Sequence, residues 1–116
     1  MREIFVFGSN LQGIHGAGAA KAARRQYGAV LGKGVGLQGN SYAIPTKATP
    51  SETLSLHEIS KHVMEFLDFA ERHPMYTFNV TPIGCGLAGY VPEQIAPMFI
   101  NCPENVKLPD EFQNCL

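Results

Sequence analysis

Residues 4–10 read Ile-Phe-Val-Phe-Gly-Ser-Asn, so four apolar residues are followed at once by a glycine turn. A β-branched and aromatic run without polar alternation is typical of a strand that is buried on both faces. Such a strand lies inside a sheet that has helices on both sides. We therefore expect a central strand over residues 4–7, with a loop at its carboxyl end.

The rest of the chain alternates between helical and extended patterns. An alanine-rich segment, residues 17–27, contains strong helix formers and ends at Gly28, where glycine favours helix termination. Ser55 and Glu58 have the spacing of a capping box, at the start of a helix that ends before His73. A short helix is also predicted over residues 92–96, and strands are predicted over residues 41–44, 76–80 and 106–108.

This order of strands and helices predicts an α/β fold, a three-layer α/β/α sandwich around a largely parallel or mixed central sheet. A chain of 116 residues is long enough for one hydrophobic core and too short for two, so we expect a single domain over residues 1–116. The glycine-rich residues 32–39 are expected to form a loop or a distorted edge strand, and the strand before Pro45 is expected to end there.

Charge and cysteine content exclude several classes of protein. Nine basic and ten acidic side chains give a formal charge of −1, which argues against a nucleic-acid partner. Cys85, Cys102 and Cys115 are an odd number without short paired spacing, so we expect no disulfide framework and no metal site. No cofactor is expected either. The apolar run at residues 4–7 is too short for a signal peptide or a membrane span, so a cytoplasmic protein without a membrane partner is expected.

Glycine is concentrated in two parts of the chain. Nine of the twelve glycines lie between Gly8 and Gly39, and the other three lie between Gly84 and Gly89. Residues 8–18 lead from a strand into a helix, whose first N–H groups accept an anion such as a pyrophosphate. Because both clusters follow strands, we expect them at one edge of the sheet as two sides of a phosphate site. The alternative is that these glycines serve tight turns and close packing.

Three motifs, at residues 8–10, 43–46 and 82–90, resemble those of one known family, the macro domain, which is an ADP-ribose-binding α/β/α module. Gly-Ser-Asn at residues 8–10, before a glycine turn and an alanine-rich helix, is similar to the family's strand, asparagine and glycine loop. Ala-Ile-Pro-Thr at residues 43–46 is similar to its next strand, and Pro-Ile-Gly-Cys-Gly-Leu-Ala-Gly-Tyr at residues 82–90 resembles its second phosphate loop. The resemblance runs from residue 3 to about residue 100. The chain lacks the aspartate that binds adenine near the start of family members, since its first aspartate is Asp68.

The resemblance implies that the chain binds ADP-ribose or a related nucleotide diphosphate, with hydrolysis of an ADP-ribosyl or phosphate linkage as a further step. Asn10 is implied to position the distal ribose and a water molecule, or it caps its own loop. His15 is a candidate for proton transfer, or it is a loop histidine that faces solvent. The ligand-binding residues predicted together are Gly8, Ser9, Asn10, Gly13, Gly16, Ala17, Gly18, Thr46, Lys47, Ile83, Gly84, Cys85, Gly86, Leu87, Ala88, Gly89 and Tyr90.

Two other functions are compatible with the same residues. One is a module that sequesters or senses an NAD-derived nucleotide without turnover. The other is a thiol hydrolase that uses Cys85, which requires a neighbouring base or a positive dipole to activate the thiol. Apolar residues near the carboxyl end either complete the core or pair the subunits of a homo-oligomer; they are Phe99, Ile100, Phe112 and Leu116.

Overall fold

The computed structural model describes residues 2–116. Its strands are β1 (Arg2–Asn10), β2 (Gly36–Gln38), β3 (Ser41–Thr49), β4 (Glu52–Thr53), β5 (Tyr76–Val80) and β6 (Val106–Lys107). Its helices are α1 (Gly18–Gln26), α2 (Leu56–Glu71), α3 (Pro92–Ile95) and α4 (Asp110–Gln113), and a short 3₁₀ helix over Ala96–Phe99 continues α3. The capping box that opens α2 is confirmed: the Ser55 hydroxyl accepts from the Glu58 N–H, and the Ser55 N–H donates to the Glu58 carboxylate.

Within residues 2–116, six strands form one mixed sheet, and this confirms the α/β class. The main path of the sheet runs β2-β3-β1-β5-β6, with β1 in the middle as predicted. Strand β1 is parallel to β3 and β5, and β6 is parallel to β5. Strands β2 and β4 pair antiparallel with β3. Of the two forms expected for residues 32–39, the edge strand is therefore observed over part of the segment.

The prediction that β3 ends at Pro45 is wrong, because the strand continues to Thr49. Pro45 lies opposite Ser9 of β1, and the register between the two strands shifts directly after this pair. A proline, which has no N–H to donate, is tolerated at such an irregularity. The shift brings Lys47 opposite Asn10, so that the ends of β1 and β3 carry polar side chains next to each other.

Helices cover both faces of the sheet because side chains of β1 alternate between two cores. Ile4 and Val6 are fully buried in the larger core, together with residues of α2, α3, the 3₁₀ helix and α4. Phe7 points to the other face, where it packs with Ala23 of α1 and Ala43 of β3. The alanines of α1 allow this helix to lie close to the sheet.

At the carboxyl end of β1, the connections that follow neighbouring strands leave towards opposite faces of the sheet. Strand β1 leads to α1 on one face, whereas β3 and β5 lead towards α2 and α3, which pack on the other face. Connections that leave in opposite directions open a crevice between the strand ends, and ligands of α/β proteins bind in such a crevice.

Near the carboxyl end of the chain, Phe99 and Phe112 are fully buried in the larger core, whereas Ile100 and Leu116 are exposed. None of the helices in residues 2–116 has the length and apolar character to cross a bilayer.

Candidate functional site

A cavity of about 790 Å³ lies at the carboxyl ends of β1, β3 and β5. Fourteen of the predicted ligand-binding residues line it: Gly8, Ser9, Asn10, Gly16, Ala17, Gly18, Thr46, Lys47, Ile83, Gly84, Cys85, Gly86, Leu87 and Ala88. The structure therefore brings the two predicted glycine loops together on one cavity. Its volume falls in the range of pockets that hold small molecules and cofactors.

One wall of the cavity is the start of helix α1. Residues 16–20 line the cavity, and Ala17 is the N-cap residue, with an extended backbone. An alanine has no side-chain oxygen with which to cap the helix, and the first turn of α1 contains no acidic residue. The first N–H groups of a helix have no partner within the helix, and its amino end carries partial positive charge. This wall is therefore suited to hold an anion.

The opposite wall is the loop that follows β5. Gly84 has a φ of +75°. The N–H of Tyr90 donates to the Gly84 carbonyl oxygen at 2.9 Å, and this hydrogen bond closes residues 84–90 into a compact arch. The Thr53 hydroxyl donates to the Ala88 carbonyl at 3.2 Å and joins this arch to β4. Among residues 2–116, no hydrogen-bond acceptor contacts the N–H of Gly86 or Leu87. These two donors remain available to a ligand.

Three predicted ligand-binding residues lie outside the cavity lining, and they shape the loops instead. Gly13 packs against the backbone of Gly32, where a Cβ would come within 2.8 Å of the Gly32 Cα. Tyr90 donates its hydroxyl hydrogen bond to the Leu54 carbonyl at 2.6 Å, so its ring does not line the cavity. Gly89, with a φ of +87°, completes the turn before Tyr90. The ligand-binding role predicted for Tyr90 therefore has no support from its position.

Asn10 lines the cavity, but its amide is engaged within its own loop. The Nδ2 atom donates to the Ile14 carbonyl at 2.9 Å, and the Oδ1 atom accepts from the Ile14 N–H at 3.0 Å. The N–H of Gly13 also donates to the Asn10 carbonyl at 3.0 Å. These contacts match the loop-capping alternative rather than a side chain that is free to position a water molecule.

The structure places His15 beneath the loop rather than at the cavity. The side chain is only 3% exposed, and its ring packs edge-on against Phe7 at a centroid distance of 5.3 Å. Its Nε2 atom lies 3.0 Å from the Val30 carbonyl and 3.1 Å from the Lys33 carbonyl. Neither predicted position, a proton donor at the ligand or a solvent-facing histidine, agrees with this burial. The ring is held there by its packing against Phe7 and by the contacts of Nε2 with the two carbonyl groups.

Residues 30–36 form a strap across the loop that leads to α1. The Ser9 hydroxyl donates to the Gly34 carbonyl, the Gly32 N–H donates to the Gly13 carbonyl, and His15 contacts the strap as described. Gln38, which is buried, accepts from the Val30 N–H and donates to the Lys33 carbonyl. No residue of this segment is among the ligand-binding residues predicted from the sequence.

Cys85 lines the cavity as a half-buried thiol. Burial raises its pKa above the ordinary value, and the carboxylates of Glu111 and Glu93 raise it further. These influences keep the thiol protonated, which is the opposite of what a nucleophilic cysteine requires. Lys47 supplies a positive charge on the lining, and its Nζ atom donates to the Pro50 carbonyl.

Other residues of the lining were not predicted from the sequence: Ile14, Ala19, Ala20, Pro50, Thr81, Pro82, Pro92 and Glu111. Most of them adjoin predicted positions, but Pro92 and Glu111 come from α3 and α4, and no sequence motif marks them. In residues 2–116, no group of three or more histidine, cysteine, aspartate or glutamate side chains is arranged to hold a metal ion. Comparisons with models of known families, with curated proteins and with solved structures find no match to this chain.

Proposed function

We propose that the chain is a short macro-like domain that binds ADP-ribose or a related nucleotide diphosphate in this cavity. The observation that carries the proposal is the pairing of two anion-binding walls. The uncapped start of α1 at residues 16–20 and the free N–H groups of Gly86 and Leu87 line the same cavity. A diphosphate between them receives backbone hydrogen bonds from both sides, with Lys47 as an additional positive charge.

The apolar part of the lining supports a ligand that is larger than a phosphate ion. Ile14, Ile83 and Leu87 line the cavity, together with three prolines. Small-molecule sites combine such apolar walls with a few polar groups that fix the orientation of the ligand. A nucleoside or sugar attached to the diphosphate would fill this part of the cavity.

Three observations favour binding without turnover, as in a module that sequesters or senses an NAD-derived nucleotide. The Asn10 amide is engaged by Ile14, His15 lies outside the lining, and the pKa of the Cys85 thiol is raised. Hydrolysis requires a group that activates water or attacks the substrate, and none of these three side chains is arranged for either task.

Isothermal titration calorimetry with ADP-ribose and with adenosine tests the proposal. We expect saturable binding of ADP-ribose and at least about tenfold weaker binding of adenosine, since the charge-assisted hydrogen bonds to the diphosphate are then missing. Absence of heat at millimolar ADP-ribose would exclude the proposed ligand. Chromatography of the ligand after long incubation separates the two forms of the proposal: unchanged ADP-ribose indicates a binding module, and a cleaved product indicates a hydrolase.

A further inference from the structure

Glu111 is the one acidic residue on the cavity lining among residues 2–116. It belongs to α4, which the next residue fastens to the core: Phe112 is fully buried, and its ring stacks on Phe99 at a centroid distance of 5.5 Å. The other walls contrast with it, because residues 4–51 contain no aspartate or glutamate. Folding therefore brings a carboxylate from the far end of the chain to a cavity whose remaining walls offer N–H donors and a lysine.

The carboxylate of Glu111 is free to act on a ligand. Among the residues that the structure describes, no hydrogen-bond donor or cation contacts its carboxylate oxygens; the Cys115 thiol contacts only its backbone carbonyl, at 3.3 Å. Glu111 lines the same cavity as Cys85, Gly86 and Leu87 of the loop after β5. Its negative charge also contributes to the raised pKa of the Cys85 thiol.

A free carboxylate in an anion site repels a bare phosphate and has only acceptor atoms to offer. It becomes favourable when the ligand presents donors beside its phosphates, and the hydroxyl groups of a sugar are such donors. Carboxylates hold ribose hydroxyls in this way in dinucleotide-binding folds. We propose that Glu111 accepts hydrogen bonds from the sugar hydroxyls of the ligand and so selects a sugar nucleotide over a phosphate anion. This inference rests on the proposed function.

The direction in which Glu111→Gln changes the affinity for each of two ligands tests this role. Glu111→Gln is titrated by calorimetry with ADP-ribose and with inorganic pyrophosphate. Glutamine keeps one acceptor oxygen but carries no charge. The weaker hydrogen bonds to this neutral acceptor are expected to outweigh the relieved repulsion of the diphosphate, and so to weaken ADP-ribose binding about threefold to tenfold. Loss of a repulsive charge is expected to strengthen pyrophosphate binding about twofold to fivefold.

Asp110→Asn is the matched control, because it removes the same charge from the neighbouring residue of α4, which lies outside the lining. We expect both of its affinities to remain within about twofold of wild type. Thermal melting checks the fold of both variants, and we expect melting temperatures close to that of wild type, since both side chains are exposed.

The outcomes separate this inference from the function on which it rests. If Glu111→Gln leaves ADP-ribose binding unchanged or strengthens it, the role of Glu111 is overturned and the proposed function stands. If the wild-type protein binds neither ligand, both are overturned. If the wild-type protein binds ADP-ribose alone, the direction of the change for ADP-ribose decides.

Discussion

Gly34 lies directly against the carbonyl oxygen of Asn10. A Cβ atom at position 34 would come within 2.9 Å of the Leu11 carbonyl oxygen, and it would lie closer still to that of Asn10. This approach lets the strap of residues 30–36 cover the loop that leads from β1 to α1. The loop is thus held from two sides, by the strap and by the hydrogen bonds between Asn10 and Ile14.

Replacing Gly34 should destabilise the fold. Gly34→Ala forces the strap away from the backbone of residues 10–11, and we expect a loss of about 1–3 kcal/mol in the free energy of unfolding. Gly16→Ala is the matched control, because a Cβ at Gly16 meets no atom within 4 Å. Urea denaturation measures both variants. Equal stability of the two would show that the close approach at Gly34 does not support the loop.

A larger side chain at position 86 should weaken ligand binding without loss of stability. Gly86 lines the cavity, its backbone is outside the positive-φ region, and a Cβ there meets no atom within 4 Å. We expect Gly86→Val to melt within a few degrees of wild type. It should bind ADP-ribose at least about tenfold more weakly, since even one ill-fitting methylene in a pocket has an effect of this size and valine adds an isopropyl group. Undiminished affinity in a folded variant would place the ligand elsewhere.

The charge of Lys47 should contribute to affinity. Lys47→Met is expected to weaken ADP-ribose binding about threefold to tenfold and to reduce its dependence on salt, because one cation near the diphosphate is lost. Lys33→Met provides the comparison, since the Lys33 ammonium lies outside the lining and donates to the Leu37 carbonyl. Titrations at low and high salt check both variants; equal losses would indicate only a general effect of net charge.

The Cys85 thiol should be slow to react at neutral pH. Because burial and the nearby carboxylates of Glu111 and Glu93 raise its pKa, the thiolate forms only at a pH above that of an ordinary cysteine. Alkylation by iodoacetamide, followed by mass spectrometry from about pH 7 to 11, should give an inflection for Cys85 above that of free cysteine. Glu111→Gln should move the inflection to lower pH. An inflection below that of free cysteine would restore the thiol hydrolase as a candidate.

The sequence predicts the elements that depend on local patterns. Three such patterns are local: the apolar run of β1, the capping box of Ser55 and Glu58, and the two glycine loops. The position of the two loops at strand ends follows from the rules of α/β sheets. The prediction that β3 ends at Pro45 is wrong because a register shift between β3 and β1 accommodates the proline inside the strand.

The cavity is harder to predict where it depends on distant contacts. The burial of His15 depends on Phe7 and on two carbonyl groups of the strap, which lie 15 and 18 residues further along the chain. Glu111 reaches the lining only because Phe112 fastens α4 to the core. Neither relationship has a sequence spacing that reveals it. The sequence therefore indicates His15 as a candidate for proton transfer and does not indicate Glu111.

Amide proton–nitrogen correlation spectra, recorded while ADP-ribose is added, test the central claim that both walls hold one diphosphate. The N–H signals of Gly18, Ala19 and Ala20 at the start of α1, and those of Gly86 and Leu87 on the opposite loop, should shift together and saturate at the same ligand concentration. Signals of exposed residues on α2, such as Met64, should stay in place. Shifts confined to one wall, or to residues outside the cavity, would contradict the account.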